Sequence, residues 1–262
     1  MEFKALNNKY NPEGSELRRY QLELLEILEY LDNVCRKHGI EYWLSSGTLL
    51  GAVRHGGFIP WDDDCDIEMR RDDYLKLLKI LKENANNNYV LQTYKTDKYF
   101  VLPFAKLRNT KILINENNTE LYKYKGAFVD IFPLERNSYY CLKFTALLHY
   151  VLLFKKKPAF IPICIQKVLI VLFKMFFFGI LYPVLRLVNK FVSDKTLLYH
   201  TYGIGFLKKR VIKDIYPLQE IYFENKKFYA PNNTDSYLKE IYGDYMKIPN
   251  IDKIQNHSIS IL

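Results

Sequence analysis

The chain has 262 residues, 49 % of them apolar and 26 % charged, with 22 Tyr and 17 Phe. That composition supports a large folded core and excludes a disordered, collagen-like or low-complexity chain. The formal net charge is +9, but it is not spread evenly. Residues 137–215 hold 13 Lys/Arg and 2 Asp/Glu, a local net of +11, which leaves −2 for the remainder. The same stretch is the most apolar of the sequence, and a phosphate groove has no use for Phe176-Phe177-Phe178. Basic and apolar together predict an anionic membrane surface as a partner and no nucleic acid.

In chain order, Ser15 to Lys37 predicts an amphipathic helix. Ser15 is its cap, Leu24, Ile27, Leu28 and Leu31 lie on its inner face, and Gly39 ends it. Glu41 to Ser45 predicts a short strand, and Gly47 to Val53 a helix directly behind a glycine turn. After Pro60, Asp64-Cys65-Asp66-Ile67-Glu68-Met69 alternates acid with apolar residue, the period of a strand. A helix from Asp72 to Glu83, capped by Asp72, follows. Tyr89 to Tyr94, Phe100 to Leu107, Ile112 to Asn115 and Ala127 to Pro133 predict further strands. From Tyr139 to about Val192 the pattern turns to apolar helices broken at Pro158, Pro162 and Pro183. A last helix covers Ser236 to Tyr242. Strands and helices alternate before residue 135, so the core is α/β or α+β, with a helical insertion behind it.

Cys35, Cys65, Cys141 and Cys164 are far apart and have no zinc-ligand spacing, which predicts reduced thiols in a cytoplasmic protein. The polar N-terminus has no apolar signal core, so no secretion is expected.

The acids carry the chemistry. On a strand Asp64 and Asp66 share one face, and two close carboxylates repel unless a cation joins them, which suits a divalent metal. Asp130, between Val129 and Ile131, either points into a site or is buried at several kcal/mol unless paired. Gly47 and Thr48 open a helix whose N–H groups suit phosphate oxygens. Taken alone, Asp62-Asp63-Asp64 reads as an exposed acidic loop, but an exposed loop has no need of the alternating Cys65, Ile67 and Met69. Arg54, Lys106 and Arg108 are the cationic candidates for a diphosphate, with pairing to the aspartates as the alternative. Trp61 reads as a stacking surface or as core, and His55 beside two glycines as structural.

The run from Tyr42 to Ile67, with Ser45-Ser46-Gly47-Thr48-Leu49-Leu50-Gly51 and Trp61-Asp62-Asp63-Asp64-Cys65-Asp66-Ile67 inside it, resembles the LicD family. Those proteins are phosphotransferases of the nucleotidyltransferase superfamily, with fukutin-type relatives. The resemblance continues at Phe104-Ala105-Lys106-Leu107-Arg108-Asn109-Thr110, at Phe128-Val129-Asp130-Ile131-Phe132-Pro133-Leu134, and from Tyr237 to Met246 with Pro249. It implies an α+β fold, a nucleotidyltransferase-like mixed sheet with flanking helices. The expected divisions are a catalytic core over 1–136, a helical membrane-facing insertion over 137–215, and a C-terminal segment over 216–262 packing back on the core. It further implies transfer of a phosphoalcohol, such as phosphocholine, from a CDP-activated donor to a sugar hydroxyl of a cell-surface glycan, free or lipid-linked, with release of CMP. Asp64, Asp66 and Asp130 would be the catalytic acids and the ligands of Mg²⁺ or Mn²⁺. Gly47, Thr48, Arg54, Lys106 and Arg108 would contact substrate. A nucleotidyltransferase of another substrate class, or a non-catalytic membrane adaptor, would use the same fold.

Val168 to Leu185 is nearly long enough to span a bilayer, but Lys174 near its middle would cost about 2.5–3.5 kcal/mol there. Lys167 and Lys174 share a helical face, and Lys155, Lys156, Lys157 and Arg186 flank the segment. The expectation is a hairpin lying on the inner leaflet with its basic residues on anionic lipid, and a buried helical subdomain is the alternative.

Overall fold

The computed structural model describes residues 6, 9–84, 88–116, 119–154, 161–248 and 260–261. The basic run Lys155 to Lys157, Pro158 and Pro249 lie outside the described residues.

Helix α1 (Glu16–Lys37) begins at Ser15, whose side chain accepts from Arg18 N, and buries Tyr20, Leu24, Ile27, Leu28, Leu31 and Cys35. Each such buried side chain contributes on the order of 1.5–3 kcal/mol. Strand β1 (Trp43–Leu44) leads into α2 (Ser46–His55). Strand β2 (Asp66–Arg70) passes directly into α3 (Arg71–Glu83). Arg70, not Asp72, takes the N-cap, and Asp72 and Asp73 sit in the first turn, where their charge complements the helix dipole. Strand β3 (Tyr89–Gln92) is shorter than expected. The two strands expected between Phe100 and Asn115 are one, β4 (Ala105–Asn115), with a register irregularity between Arg108 and Leu113. There Asn109 O comes so near Gly126 that a Cβ on that glycine would lie 1.7 Å away. Strand β5 (Gly126–Glu135) is buried along its whole length, as a central strand must be.

Helix α4 (Tyr139–His149) opens the insertion, followed by α5 (Ile163–Phe176) and α6 (Tyr182–Val192). Pro183 does not break the helix as expected. A wide turn over Phe177–Leu181, in which Tyr182 N donates to Phe177 O, absorbs the hydrogen bond that proline cannot make. The helix thus runs from Ile163 to Phe191, long and apolar enough to cross a membrane, with 22 % of its most apolar stretch buried. Strands β6 (Leu197–His200) and β7 (Arg210–Val211), the short α7 (Ile212–Ile215), the hairpin β8 (Gln219–Phe223)–β9 (Lys226–Ala230), α8 (Thr234–Tyr242) and β10 (Ser260–Ile261) complete the chain.

Among the described residues one mixed sheet of eight strands carries the order β1-β2-β5-β4-β10, with β3 on β4 and β6, β7 continuing from β5. Strands β2 and β5 are parallel, and β4 lies antiparallel on the other side of β5. The main apolar core takes residues from α1 through β5 and from β6 through Tyr245. A second cluster, including Ile170, Phe177 and Tyr182, joins the insertion to Val101 and Tyr202. Lys174 does not face lipid as expected. It is buried, and its Nζ donates to Asp97 O at 3.1 Å and Lys98 O at 2.7 Å, which ties α5 to the core.

Candidate active site

The parallel register sets Asp66 directly against Asp130. Asp130 N donates to Cys65 O at 2.9 Å, so the alignment starts one residue ahead of β2. Both acids are 9 % exposed, and Asp64, just before the strand, is half-buried. On the far side of β5, the antiparallel register places Lys106 opposite Asp130. Its Nζ lies 3.0 Å from Asp130 Oδ1, 3.6 Å from Glu116 Oε1 and 3.2 Å from the Phe128 ring centroid.

These neighbours set the charge states. Burial, then Asp64, Asp130 and Asp62, push Asp66 well above the usual carboxylate range, and Lys106 offsets this only in part. Asp130 is equally desolvated but holds the Lys106 ammonium, and is pushed up to about 6. An all-oxygen donor set with this much uncompensated repulsion fits a hard divalent cation. Among the described residues, no three His, Cys, Asp or Glu side chains are already gathered closely enough to hold one. The cation in direct contact with Asp130 is Lys106.

Gly47 and Thr48 are brought to the acids. Ser45 is extended and fully buried, Ser46 turns at φ 48°, and the helix starts there. Thr48 Oγ1 accepts from Asp66 N at 2.8 Å, joining the first turn of α2 to the first residue of β2. A Cβ at Gly47 would lie 2.5 Å from Asp62 Oδ2, so only glycine leaves that carboxylate its place.

Two of the expected cations are engaged elsewhere. Arg54, buried, donates to Tyr245 O at 2.8 Å and to His55 Nε2 at 3.0 Å. Burial and the Arg54 charge lower the His55 pKa to about 4, so this imidazole is neutral at physiological pH. Arg108 is fully buried and donates to Gln92 Oε1 at 2.5 Å, Gly126 O at 2.6 Å and Glu116 Oε2 at 2.6 Å. Trp61, partly buried, meets Tyr10 and His55 edge-on.

Glu116 and Glu68 were not singled out from the sequence. Glu116 sits in a polar stretch that reads as a turn, yet it is the second acid of Lys106 and the partner of Arg108. Glu68 continues the alternation of Asp64 and Asp66, and that parity was the available signal. It is wholly buried, held by Arg210 Nη2 at 2.7 Å, His200 Nε2 at 3.0 Å and the Tyr237 hydroxyl. Trp43 Nε1 donates to the same hydroxyl at 3.0 Å, so β1, β2, β6, β7 and α8 meet at one carboxylate.

Comparison with known proteins covers the strands that carry these residues. The LicD/FKTN/FKRP nucleotidyltransferase domain matches residues 39–162, which include β1 through β5 and all three acids. The chain is 28 % identical over 267 aligned residues to the lipopolysaccharide cholinephosphotransferase LicD of Haemophilus influenzae, covering 93 % of this chain and 96 % of that protein. It is 46 % identical over 50 residues to the human ribitol 5-phosphate transferase FKRP, 19 % of this chain and 10 % of that one. A mannosyltransferase regulator of Saccharomyces cerevisiae matches at 31 % over 78 residues, 30 % of this chain and 6 % of the yeast protein. The domain match encloses the paired strands and the similarity to LicD runs nearly end to end, so the chain carries a LicD-type nucleotidyltransferase domain over residues 39–162, and its transferase relatives indicate a transferase.

Proposed function

We propose that this protein moves a phosphoalcohol from a CDP-activated donor to a sugar hydroxyl of a cell-surface glycan and releases CMP. The observation that carries the reading is the Asp66–Asp130 pair, buried on adjacent strands inside the matched domain. The cholinephosphotransferase and ribitol 5-phosphate transferase relatives support a substituted phosphate as the transferred group.

The acceptor hydroxyl oxygen attacks the phosphorus that bears the alcohol, and the bond from that phosphorus to the bridging oxygen breaks, so CMP departs with the electron pair. A carboxylate of the cluster takes the hydroxyl proton, a role suited to a group whose pKa is raised toward neutrality. Asp64, Asp66 and Asp130 would hold Mg²⁺ or Mn²⁺. When bound, the metal supplies positive charge to the diphosphate and the leaving phosphate. Lys106 then shares Asp130 or passes to a phosphate oxygen, the one cation of the expected set that stands at the acids. Thr48 fixes the β2 backbone beneath Asp66, and the first turn of α2 offers N–H groups to phosphate.

The insertion would rest on the inner face of a membrane. Its exposed large apolar residues include Phe144, Leu147, Val168, Leu172, Met175, Ile180 and Phe191. Exposed apolar side chains in this number would suit an apolar partner surface. Following CMP release over a panel of CDP-alcohols with Mg²⁺ tests the catalytic reading. No release from any member, with folded protein and a glycan acceptor present, would overturn it.

A further inference from the structure

The ends of β2 and β5 remote from the acids open on a cavity of about 640 Å³ beside the insertion. Arg70 stands roughly 13 Å along β2 from Asp66, at about 3.3 Å per residue. Arg70 and Arg71 reach the cavity from the β2–α3 junction, Arg136 from just past β5, and Arg186 and Lys190 from α6. These five cations face two acids, Asp72 and Glu135. Glu135 is buried and already shared: Arg186 holds it at 2.7 Å, Arg71 approaches to 3.6 Å, and the Thr201 hydroxyl donates to it as well. One carboxylate thus serves two guanidiniums. Burial, and next the Arg186 charge, lower the Arg71 pKa, and Glu135 opposes them.

An exposed apolar stripe on α6 adjoins the cavity. Leu187 lines it and is 59 % exposed. Val184, Val188 and Phe191 are exposed on the same helix. Their spacing, i, i+3, i+4 and i+7, puts all four on one face. A soluble phosphate or nucleotide makes no use of such a face, whereas an amphiphile uses both halves.

We propose that this cavity binds the phosphate head group of an anionic membrane lipid, with Val184, Leu187, Val188 and Phe191 against its acyl chains. The inference rests on the membrane-surface reading of the insertion and gives that surface a specific lipid-phosphate site, separate from the acids.

The test uses the full chain and vesicles of phosphatidylcholine alone or mixed in equal parts with phosphatidylglycerol. Arg136 and Lys190 are exposed, so Arg136→Gln with Lys190→Gln leaves the fold intact. The double variant should bind the mixed vesicles roughly thirtyfold more weakly, from ~1 kcal/mol per basic residue at an anionic surface, and should bind phosphatidylcholine unchanged. Lys208→Gln with Lys209→Gln, equal in charge and outside the cavity, should lose far less. Equal losses in the two double variants would mean diffuse charge and overturn the site. Equal wild-type binding to both vesicles would also overturn it and leave membrane docking standing, whereas binding to neither would remove both. Inorganic phosphate raising the melting temperature of wild type but not of the Arg136/Lys190 variant, without vesicle binding, would reassign the cavity to soluble phosphate.

Discussion

Asp66 and Asp130 are register partners on parallel strands, each 9 % exposed, with Lys106 on the third strand 3.0 Å from Asp130. The arrangement stores repulsion at the β2 side. A carboxylate whose folded pKa exceeds its unfolded one stabilises the native state below the unfolded pKa and loses that contribution as pH rises through the folded value.

The metal-stripped protein should therefore lose thermal stability through Asp130 as pH climbs from the ordinary 3.8 to about 6, and through Asp66 as pH climbs from 3.8 toward its own raised value. Asp66→Asn should raise the melting temperature at neutral pH. Added Mg²⁺ should raise that of wild type and raise that of Asp66→Asn much less. Melting curves against pH, with and without Mg²⁺, check this. A lower metal-free melting temperature in Asp66→Asn at neutral pH would contradict it.

Asp64→Asn, Asp66→Asn and Asp130→Asn should each lower CMP release by roughly a thousandfold, the equivalent of several kcal/mol of lost charge stabilisation. Circular dichroism should be unchanged. Any of the three retaining near wild-type turnover at ordinary Mg²⁺ does not belong to the metal set.

Lys106 and Arg108, two residues apart on β4, should part company on substitution. Arg108→Met leaves Glu116 facing a hole where a buried guanidinium was, and should cost about 3–5 kcal/mol in urea unfolding. Lys106→Met removes the cation that lowers the Asp130 pKa, so the acidic limb of the pH–rate profile should move to higher pH. A Lys106→Met profile that keeps the wild-type limb would assign the general-base role elsewhere.

Glu68→Gln should cost about 3–5 kcal/mol, because Arg210 stays buried without its carboxylate. Burial raises the Glu68 pKa, but Arg210 and His200 outweigh it and hold the group far below its usual value. The stability Glu68 adds is present above its unfolded pKa and is lost only as pH falls through the depressed one. Wild type should hold this contribution through mildly acidic pH, and the variant should lack it throughout. Urea midpoints at neutral and mildly acidic pH measure the difference.

Local physics wrote much of this protein into the sequence. The Ser15 cap and the apolar face behind it define α1, and the two-residue period through Asp66, Ile67, Glu68 and Met69 defines a strand, all four of whose residues the fold buries. The motif from Tyr42 to Ile67 pointed to the family that the comparisons support. Other features depend on which distant surface a residue meets. Parallel pairing of β2 and β5 needs a long crossover, so no local pattern reveals that Asp66 meets Asp130. Alternation puts Lys106 and Arg108 on one face, but Glu116, returning past the bend in β4, encloses one and leaves the other at the acids. The spacing of Lys167 and Lys174 fixes their common side of the helix and nothing about what covers it. The carbonyls of Asp97 and Lys98 take Lys174, because a buried ammonium must find oxygen and the nearest loop supplies it.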